Sequence, residues 1–226
     1  MYNITLIGTY HSEIGKCNSG ELYKIIEYIN PEVIFVELPN NVFYEIICDM
    51  AINGIRSEEP TETKFIKNYL QNHNNKLIPV DDEVRYISDS EYDQLLYTFE
   101  EYDDYKELVY EQISLTKQYG FDYLNSEKCL DLLEQTRIVE KNIMELEIHK
   151  NKLLHFYKLF YKENDTRENS MLQNIYNYSR ENQYNQAVFL TGIAHRKSIM
   201  QKIIENEKMS EIKLNWSYGN KQKTSR

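Results

Sequence analysis

The sequence predicts an α/β fold: a mostly parallel, open sheet of about four to five strands with flanking helices and a large helical insertion. Short apolar runs rich in Val, Ile and Leu alternate with amphipathic segments near both ends of the chain, which is the order of βαβ units. The middle of the chain has no such runs and carries helical, strongly acidic segments instead. With 226 residues, the chain is long enough for one α/β domain that this middle part interrupts.

The first part of the predicted core opens with a βαβ unit. Residues 3–7 predict a buried strand closed by Gly8, and residues 33–38 predict a second strand that Pro39 stops. Between them, residues 18–21 have the capping-box pattern that begins a helix. Because a crossover of this kind is right-handed in almost all proteins, we expect the two strands to be parallel.

Two further helices and a third strand complete this part of the core. The pattern predicts helices over residues 41–52 and from Pro60 to residue 72, and a short strand over residues 76–80. Pro79 has no backbone N–H, so we expect this strand to lie near the edge of the sheet or to be locally irregular. Cys48 lies in an apolar run of the first of these helices and is expected to pack in the core.

The middle of the chain, residues 88–163, is predicted to be a helical insertion. It begins with a second capping box at residues 88–91. A stripe of residues spaced by four and three then runs from Leu132 to Phe160, and it predicts one long helix in a helical hairpin or small bundle. Two explanations of the stripe stay open: it packs against the preceding helix, or it is the interface of a homo-oligomer.

The α/β pattern returns in residues 164–226, the second part of the core that residues 1–87 begin. The predicted elements are a helix over residues 167–181 capped by residues 164–166, a strand over residues 187–191 closed by Gly192, a helix that His195 opens, and an edge strand over residues 212–216. The chain is therefore expected to be a single interrupted domain.

The composition argues against several classes of function. The chain is 41% hydrophobic with a formal net charge of −10, so its surface repels phosphate and nucleic acid is not expected as a partner. No stretch approaches the ~18 apolar residues that a membrane span needs, and the start of the chain lacks the pattern of a signal peptide. The three cysteines are far apart, which is typical of a reducing compartment. We therefore expect a cytoplasmic protein with no membrane partner.

Four predicted strands end next to a residue that can carry chemistry. The first is followed by His11, the second has Glu37 near its end, the third runs into Asp81, and the fourth is followed by His195. Both histidines stand three residues after a glycine, in matching Gly-x-x-His segments. Because the carboxyl ends of parallel strands share one edge of the sheet, we expect these four side chains to meet there.

The glycines of the two segments, Gly8 and Gly192, are candidate substrate-binding residues. A glycine allows a turn with positive φ or leaves room for a ligand, and the N–H groups of a following helix can bind an anion. Asp81 and Asn169 are further candidates, and Asn169 could orient a neighbouring group. Arg167, in the first turn of its predicted helix, is suited to gripping a carboxylate or stabilising an oxyanion.

Two histidines and one or two carboxylates either bind a metal or transfer protons. In the metal version, His11, Glu37 and His195 hold a divalent ion such as manganese, cobalt or zinc, which activates water. In the metal-free version, His11 is the general base, Glu37 orients it, and Arg167 stabilises the oxyanion. The metal version is slightly favoured, because two histidines and a carboxylate with an open position match catalytic zinc sites.

Taken together, these residues resemble a known superfamily. It contains the TraB/PrgY pheromone-shutdown proteins, the Tiki proteases, the erythromycin esterases and the ChaN-type haem-binding lipoproteins. The segments that match, in order, are Gly8–His11, Pro31–Glu37, Arg167–Asn169 followed by Met171, and Gly192–His195. They cover both flanks of the chain, whereas residues 88–163 carry no matching motif.

The resemblance implies a parallel α/β core with a helical insertion, an active site at the strand ends and hydrolytic chemistry. Tiki-like members resemble metal-dependent proteases, and esterase-like members resemble metal-independent hydrolases in which a histidine activates water. ChaN-like members suggest ligand binding without turnover. We therefore expect a hydrolase of an amide or ester bond in a small molecule or peptide, with the insertion walling the site. The alternatives are a non-catalytic ligand- or metal-binding protein of the same fold, and an interaction module whose insertion docks a partner.

Overall fold

A computed structural model describes residues 2–56, 58–73, 75–146, 151–209 and 212–219. In this part of the chain, five strands form one sheet in the order β3-β2-β4-β1-β5, and all neighbouring strands are parallel. The strands are β1 (Tyr2–Thr9), β2 (Val33–Val36), β3 (Lys76–Pro79), β4 (Gln186–Gly192) and β5 (Leu214–Tyr218). The predicted fold class, an α/β fold on a mostly parallel sheet, is confirmed.

Helices flank the sheet and fill the segment between β3 and β4. Those of the described residues are α1 (Ser19–Ile29), α2 (Asn40–Asn53), α3 (Thr61–Asn72), α4 (Asp89–Glu100), α5 (Asp103–Tyr119), α6 (Phe121–Leu124), α7 (Glu127–Leu146), α8 (Asn151–Glu181) and α9 (Ile193–Met209). None of the helices described is long and apolar enough to cross a membrane.

Both faces of the sheet are covered because successive strand residues point to opposite sides. On β2, Ile34 and Val36 pack with α1, α3, α6 and α7, whereas Val33 and Phe35 pack with α8 and α9. This explains why the strands are continuous apolar runs, as expected for parallel strands buried on both sides. β3, which contains Pro79, lies at one edge of the sheet and β5 at the other, as the sequence predicts.

The helical insertion has a hydrophobic cluster of its own. Residues from α4, α5, α7 and α8 form it, with Leu95, Phe99 and Phe156 at its centre. The capping box that begins α4 is present, since Ser88 and Glu91 bond each other's backbone N–H groups. Four residues of the stripe are buried inside the chain, which favours internal packing, whereas Leu146 is exposed: the buried ones are Leu132, Ile143, Leu153 and Tyr157. Oligomerisation through the insertion stays a prediction.

Two predicted helix boundaries in this region are wrong. The stripe from Leu132 to Phe160 falls on two helices, α7 and α8, with residues 147–150 outside the described part. The predicted cap at residues 164–166 lies inside α8, which continues unbroken from the insertion to the core. Asn, Asp and Thr are preferred at helix caps, but inside α8 the side chain of Thr166 bonds the carbonyl of Lys162 one turn earlier instead.

Cys48 is exposed, so its expected place in the core is wrong. It lies on α2, in which no residue is fully buried although much of its sequence is apolar. This helix packs chiefly on α3 at the rim of the molecule, and its apolar side chains are therefore only half covered. An apolar run predicts the helix correctly, but not which of its sides is covered.

Candidate active site

The carboxyl ends of β1, β4 and β2 lie side by side, and β4 separates the two strands that the first βαβ unit connects. The two Gly-x-x-His segments are therefore neighbours: Gly8 pairs with Thr191, and Thr9 pairs with Gly192. Beside them opens a cavity of about 390 Å³. Five of the predicted site residues line it: His11, Glu37, Asp81, Arg167 and His195. The other lining residues are Leu38, Pro39, Val42, Asp82, Glu83, Val84, Arg85, Ile87, Ser88, Asp89, Tyr92, Phe160 and Glu163.

Glu37, directly after β2, is the centre of the site. Its Oε2 accepts hydrogen bonds from the hydroxyl of Thr191 and from the backbone N–H of Gly192, each 2.7 Å long. Its Oε1 accepts a 2.9 Å bond from Nη2 of Arg167 and lies 3.2 Å from Nε2 of His195. Burial would raise the pKa of this carboxyl, but His195 and Arg167 hold it well below its usual range. Glu37 is therefore held in place as a carboxylate whose two oxygens are both bound by donors of the protein.

The backbone N–H of Gly192 stands where β4 turns into α9. Such a helix N-terminus was expected to bind an anion, and here the anion is the carboxylate of Glu37, which accepts the N–H of Gly192. Neither Gly8 nor Gly192 has a positive φ, so a left-handed turn is not what these glycines supply. A Cβ on Gly192 would lie 3.5 Å from Oε2 of Glu37 and 3.8 Å from Nε2 of His11. Gly192 therefore lies close to Glu37 and to the ring of His11.

His195, in the first turn of α9, is buried and held by a carboxylate on each ring nitrogen. Its Nδ1 lies 2.9 Å from Oε1 of Glu168, and its Nε2 faces Glu37. Burial would lower the pKa of His195, but Glu168 and Glu37 together raise it well above its ordinary value. The raised pKa favours the protonated ring, in which both nitrogens donate, one to each carboxylate.

His11 lies in the loop after β1, and 78% of its side chain is exposed. Its Nδ1 is 3.4 Å from Oε2 of Glu62, and this hydrogen bond raises the pKa of His11 above 6.5. Glu62 in turn accepts a 2.5 Å bond from the hydroxyl of Thr9. The backbone carbonyl of His11 is bound by the N–H of Thr61 at 2.8 Å, which ties this loop to the start of α3.

Arg167 projects from α8 into the same site and holds two acids. Its Nη2 lies 2.6 Å from Oδ2 of Asp81, and its Nε lies 3.1 Å from the same atom. The third strand thus contributes Asp81 to the edge where the other three strands meet, as the sequence predicts. Burial raises the pKa of Asp81, although the guanidinium of Arg167 opposes the rise. The other nitrogen of the guanidinium, Nη1, is not used by these bonds.

Three predicted site residues, Gly8, Gly192 and Asn169, are not part of the cavity lining, and Gly8 and Asn169 contact other elements of the core. The N–H of Gly8 donates to the side chain of Asn125 at 2.8 Å, and a Cβ on Gly8 would come within 3.1 Å of α9. Gly8 therefore allows close packing of β1 on α9. Asn169 faces α9 as well, where its side-chain oxygen accepts a 3.0 Å bond from Lys202. Both were expected to bind substrate, and the structure places both in contacts between elements of the core.

Two acidic residues of the site were missed. Glu62 and Glu168 each approach Nδ1 of a histidine, so each Gly-x-x-His segment has its own carboxylate. Glu62 could have been suspected from its place in the first turn of a helix that begins after Pro60. Glu168 stands between two residues that the sequence singled out, and no local signal distinguishes it from an exposed helix residue.

The insertion forms the outer wall of the cavity, as expected. Tyr92 of α4 and Phe160 of α8 line it with ring centroids 5.1 Å apart. Glu163, one turn further along α8, accepts a 2.6 Å bond from the backbone N–H of Tyr86 and so fastens the linker that leads into the insertion. The segment of the chain without any recognisable motif thus shapes the part of the cavity that faces the histidines.

The donor set does not fit a metal ion at His11, Glu37 and His195. A histidine ligand must offer a free nitrogen lone pair, whereas both nitrogens of His195 face carboxylate oxygens. Both oxygens of Glu37 are already surrounded by donors, and the cation Arg167 contacts one of them. Within the described residues, no group of three or more His, Cys, Asp or Glu side chains is arranged to hold a metal.

Fold and cavity together define the protein as an open parallel α/β protein with a histidine–carboxylate–arginine cluster at its central strand ends. Comparisons with protein-family models, with curated proteins and with solved structures found no match. The function is therefore argued from the site itself.

Proposed function

We propose that this protein is a hydrolase that cleaves an ester or amide bond in a small molecule or short peptide, with His11 as the proton-transferring residue. The observation that carries the proposal is that His11 lines the same cavity as Glu37, whose Oε1 contacts both Arg167 and His195. The resemblance to the TraB, Tiki and erythromycin-esterase superfamily agrees with it. Since the donor set does not fit a metal, we favour the version without one.

The two histidines differ in the property that a general base requires. His195 is enclosed by two carboxylates, which raise its pKa well above the ordinary value and favour the protonated ring. His11 is open to solvent, contacts one carboxylate at 3.4 Å and lines the cavity. A general base must exchange its proton at the working pH and reach the attacking water, and only His11 meets both requirements.

The guanidinium of Arg167, which contacts Glu37, is suited to stabilising the negative charge that forms during the reaction. Attack on a carbonyl places negative charge on its oxygen, which hydrogen-bond donors in a partly buried site stabilise. Arg167 lines the cavity, and its Nη1 takes no part in the bonds to Glu37 and Asp81, so we assign this donor to the developing oxyanion. Glu37 and Asp81 hold the guanidinium in place through three of its other contacts.

The reaction then balances with His11 as the only proton carrier. Neutral His11 takes a proton from water while the water oxygen bonds to the carbonyl carbon, and the carbonyl oxygen becomes the oxyanion beside Arg167. When the intermediate collapses, the bond from carbon to the leaving oxygen or nitrogen breaks. Protonated His11 returns its proton to that leaving group, and the products are an acid and an alcohol or amine.

The test compares three forms of the chain on p-nitrophenyl acetate, p-nitrophenyl butyrate and alanine p-nitroanilide. We expect saturable hydrolysis by the wild type and a fall in kcat/KM of about 10²–10⁴-fold in His11→Ala, the range for losing a general acid–base residue. Exposed imidazoles hydrolyse such esters slowly on their own, so His155→Ala is the control, because His155 is exposed on α8 outside the cavity. Full activity of His11→Ala would overturn the proposal.

A second candidate, a binding protein without catalysis, has one observation in its favour. Glu37 contacts both Arg167 and His195, so the three side chains form a network without any substrate. This candidate is preferred if no ester or anilide is turned over while the probe butyrate raises the melting temperature of the wild type. The cavity would then hold a small ligand and the network would only shape it.

A further inference from the structure

The contact between α8 and α9 is made by polar residues at helical spacing on both helices. On α9 the residues are His195, Ser198 and Lys202, which share one side of the helix because they are three and four residues apart. On α8 they face Asp165, Glu168 and Asn169. Arg167 is the neighbour of Glu168 but lies about 100° around the helix, so it points into the cavity instead.

Glu168 is the deeply buried member of this set. Its residue is only 4% exposed, and its two oxygens have separate partners. Oε1 lies 2.9 Å from Nδ1 of His195, Oε2 accepts the hydroxyl of Ser198, and Nζ of Lys202 is 3.8 Å from Oε2. A buried carboxylate is costly unless its bonds are well made, so an acid at this position needs a reason beyond packing.

We propose that Glu168 is a positioning residue that fixes the imidazole ring of His195, so that Nε2 points at Glu37 and the cavity. The inference rests on the proposed function, in which the cavity is a hydrolytic site. Glu168 does not line the cavity and reaches it only through the ring of His195. Its action on a reaction would therefore be indirect.

The ring of a histidine needs such a partner because rotation about χ2 is broad and nearly two-fold. A half turn exchanges each nitrogen of the ring with a carbon. In His195 it would remove the contacts with Glu168 and with Glu37 at once, since one nitrogen serves each acid. Glu168 holds the far nitrogen and thereby determines that Nε2 lies 3.2 Å from Oε1 of Glu37.

A purely structural role is the competing explanation, because Glu168 also joins α8 to α9. Other bonds join the same helices without touching His195: Lys202 binds Asp165 and also Asn169, the latter at 3.0 Å. Lys202→Met therefore weakens the helix contact and leaves the ring of His195 with its two acids. This variant is the matched control for any change at Glu168.

The experiment compares the wild type with Glu168→Leu, Glu168→Gln and Lys202→Met. Glutamine keeps the size and an oxygen that accepts from Nδ1, whereas leucine keeps only the bulk. On the ester that the wild type hydrolyses, we expect Glu168→Leu to lower kcat about 10–100-fold with KM nearly unchanged, the usual cost of losing an orienting partner. Glu168→Gln should recover most of that loss, and Lys202→Met should keep the kcat of the wild type.

A second readout needs no substrate and covers the case in which a variant is poorly folded or the wild type does not turn over esters. In protein labelled with ¹⁵N-histidine, the Nδ1–H of His195 should be protected from exchange in the wild type, Glu168→Gln and Lys202→Met. This protection should be lost in Glu168→Leu. The His195→Ala variant identifies the signal, because the signal of His195 is missing from its spectrum. Equal exchange in the wild type and Glu168→Leu would overturn the inference, and so would equal losses of kcat in Lys202→Met and Glu168→Leu. Absent turnover with a protected Nδ1–H would count against the hydrolase alone.

Discussion

The two Gly-x-x-His segments have the same spacing and lie on neighbouring strands, but their histidines have opposite surroundings. The second segment continues straight into α9, and 9% of the His195 side chain is exposed. The first enters a loop before α1, and 78% of the His11 side chain is exposed. His195 lies between two carboxylates, whereas His11 approaches one.

The different surroundings of His11 and His195 show that a shared motif does not imply a shared role. Because α9 begins directly after β4, His195 faces the adjacent helix α8, where Glu168 holds its ring. A loop leaves the histidine free to meet solvent and substrate. The same four-residue pattern thus yields a fixed cation in one place and a residue able to exchange protons in the other.

The largest expected contrast between the segments is in stability. His195→Ala removes one member of a buried charge cluster and leaves Glu168 without its ring partner, so we expect the free energy of unfolding to fall by about 3 kcal/mol. His11→Ala changes an exposed side chain and should alter it by less than about 0.5 kcal/mol. Urea unfolding of both variants measures this. Equal losses would mean that the two histidines are equally embedded.

The two glycines should also differ. A Cβ on Gly8 would lie 3.0 Å from Cδ1 of Ile193 and 3.1 Å from Cδ of Arg196. Since α9 would have to move, we expect Gly8→Ala to destabilise the fold by about 1–3 kcal/mol. A Cβ on Gly192 meets its nearest atom at 3.5 Å, an ordinary contact, so Gly192→Ala should unfold at a higher urea concentration than Gly8→Ala. The reverse order would show that Gly8 is not the tighter contact.

The dependence of activity on pH tests whether His11 is the histidine that exchanges protons. The base form of His11 is the neutral one, and its pKa is raised above 6.5 by Glu62. The rate kcat/KM should therefore rise with pH through a midpoint above 6.5. Glu62→Gln removes the negative charge, lowers the pKa of His11 and moves the midpoint to lower pH. A midpoint that stays in place would assign the titration to another group.

The smallest expected effect follows metal removal. If both nitrogens of His195 are engaged by carboxylates, dialysis against EDTA should change neither the hydrolysis rate nor the melting temperature. Elemental analysis of untagged protein should find no stoichiometric manganese, cobalt or zinc. One metal per chain in the wild type that disappears in the His11→Ala/His195→Ala double variant would instead establish the metal version.

Helices and strands near the site were predictable because each has a local cause. The capping box at Ser88, the stop at Pro39 and the apolar runs of β1 and β4 act through neighbouring residues. The failures are also local in origin. A short cluster of capping residues within α8 suggested a break, but the packing of α8 on both the insertion and the core keeps the helix continuous.

The α/β class, the strand ends and the four side chains expected to meet there could all be predicted from the sequence. The reason is that the spacing of apolar residues and the breaks at Gly and Pro are properties of short segments. The tertiary structure alone set the position of β4 between β1 and β2, which places the strand end that leads to His195 between those that lead to His11 and Glu37. It also decided that Glu62 and Glu168 complete the site and that Gly8 and Asn169 do not line it. These outcomes depend on contacts between separate elements of the fold, such as that of His11 with Glu62 and that of His195 with Glu168, and no local pattern encodes such contacts.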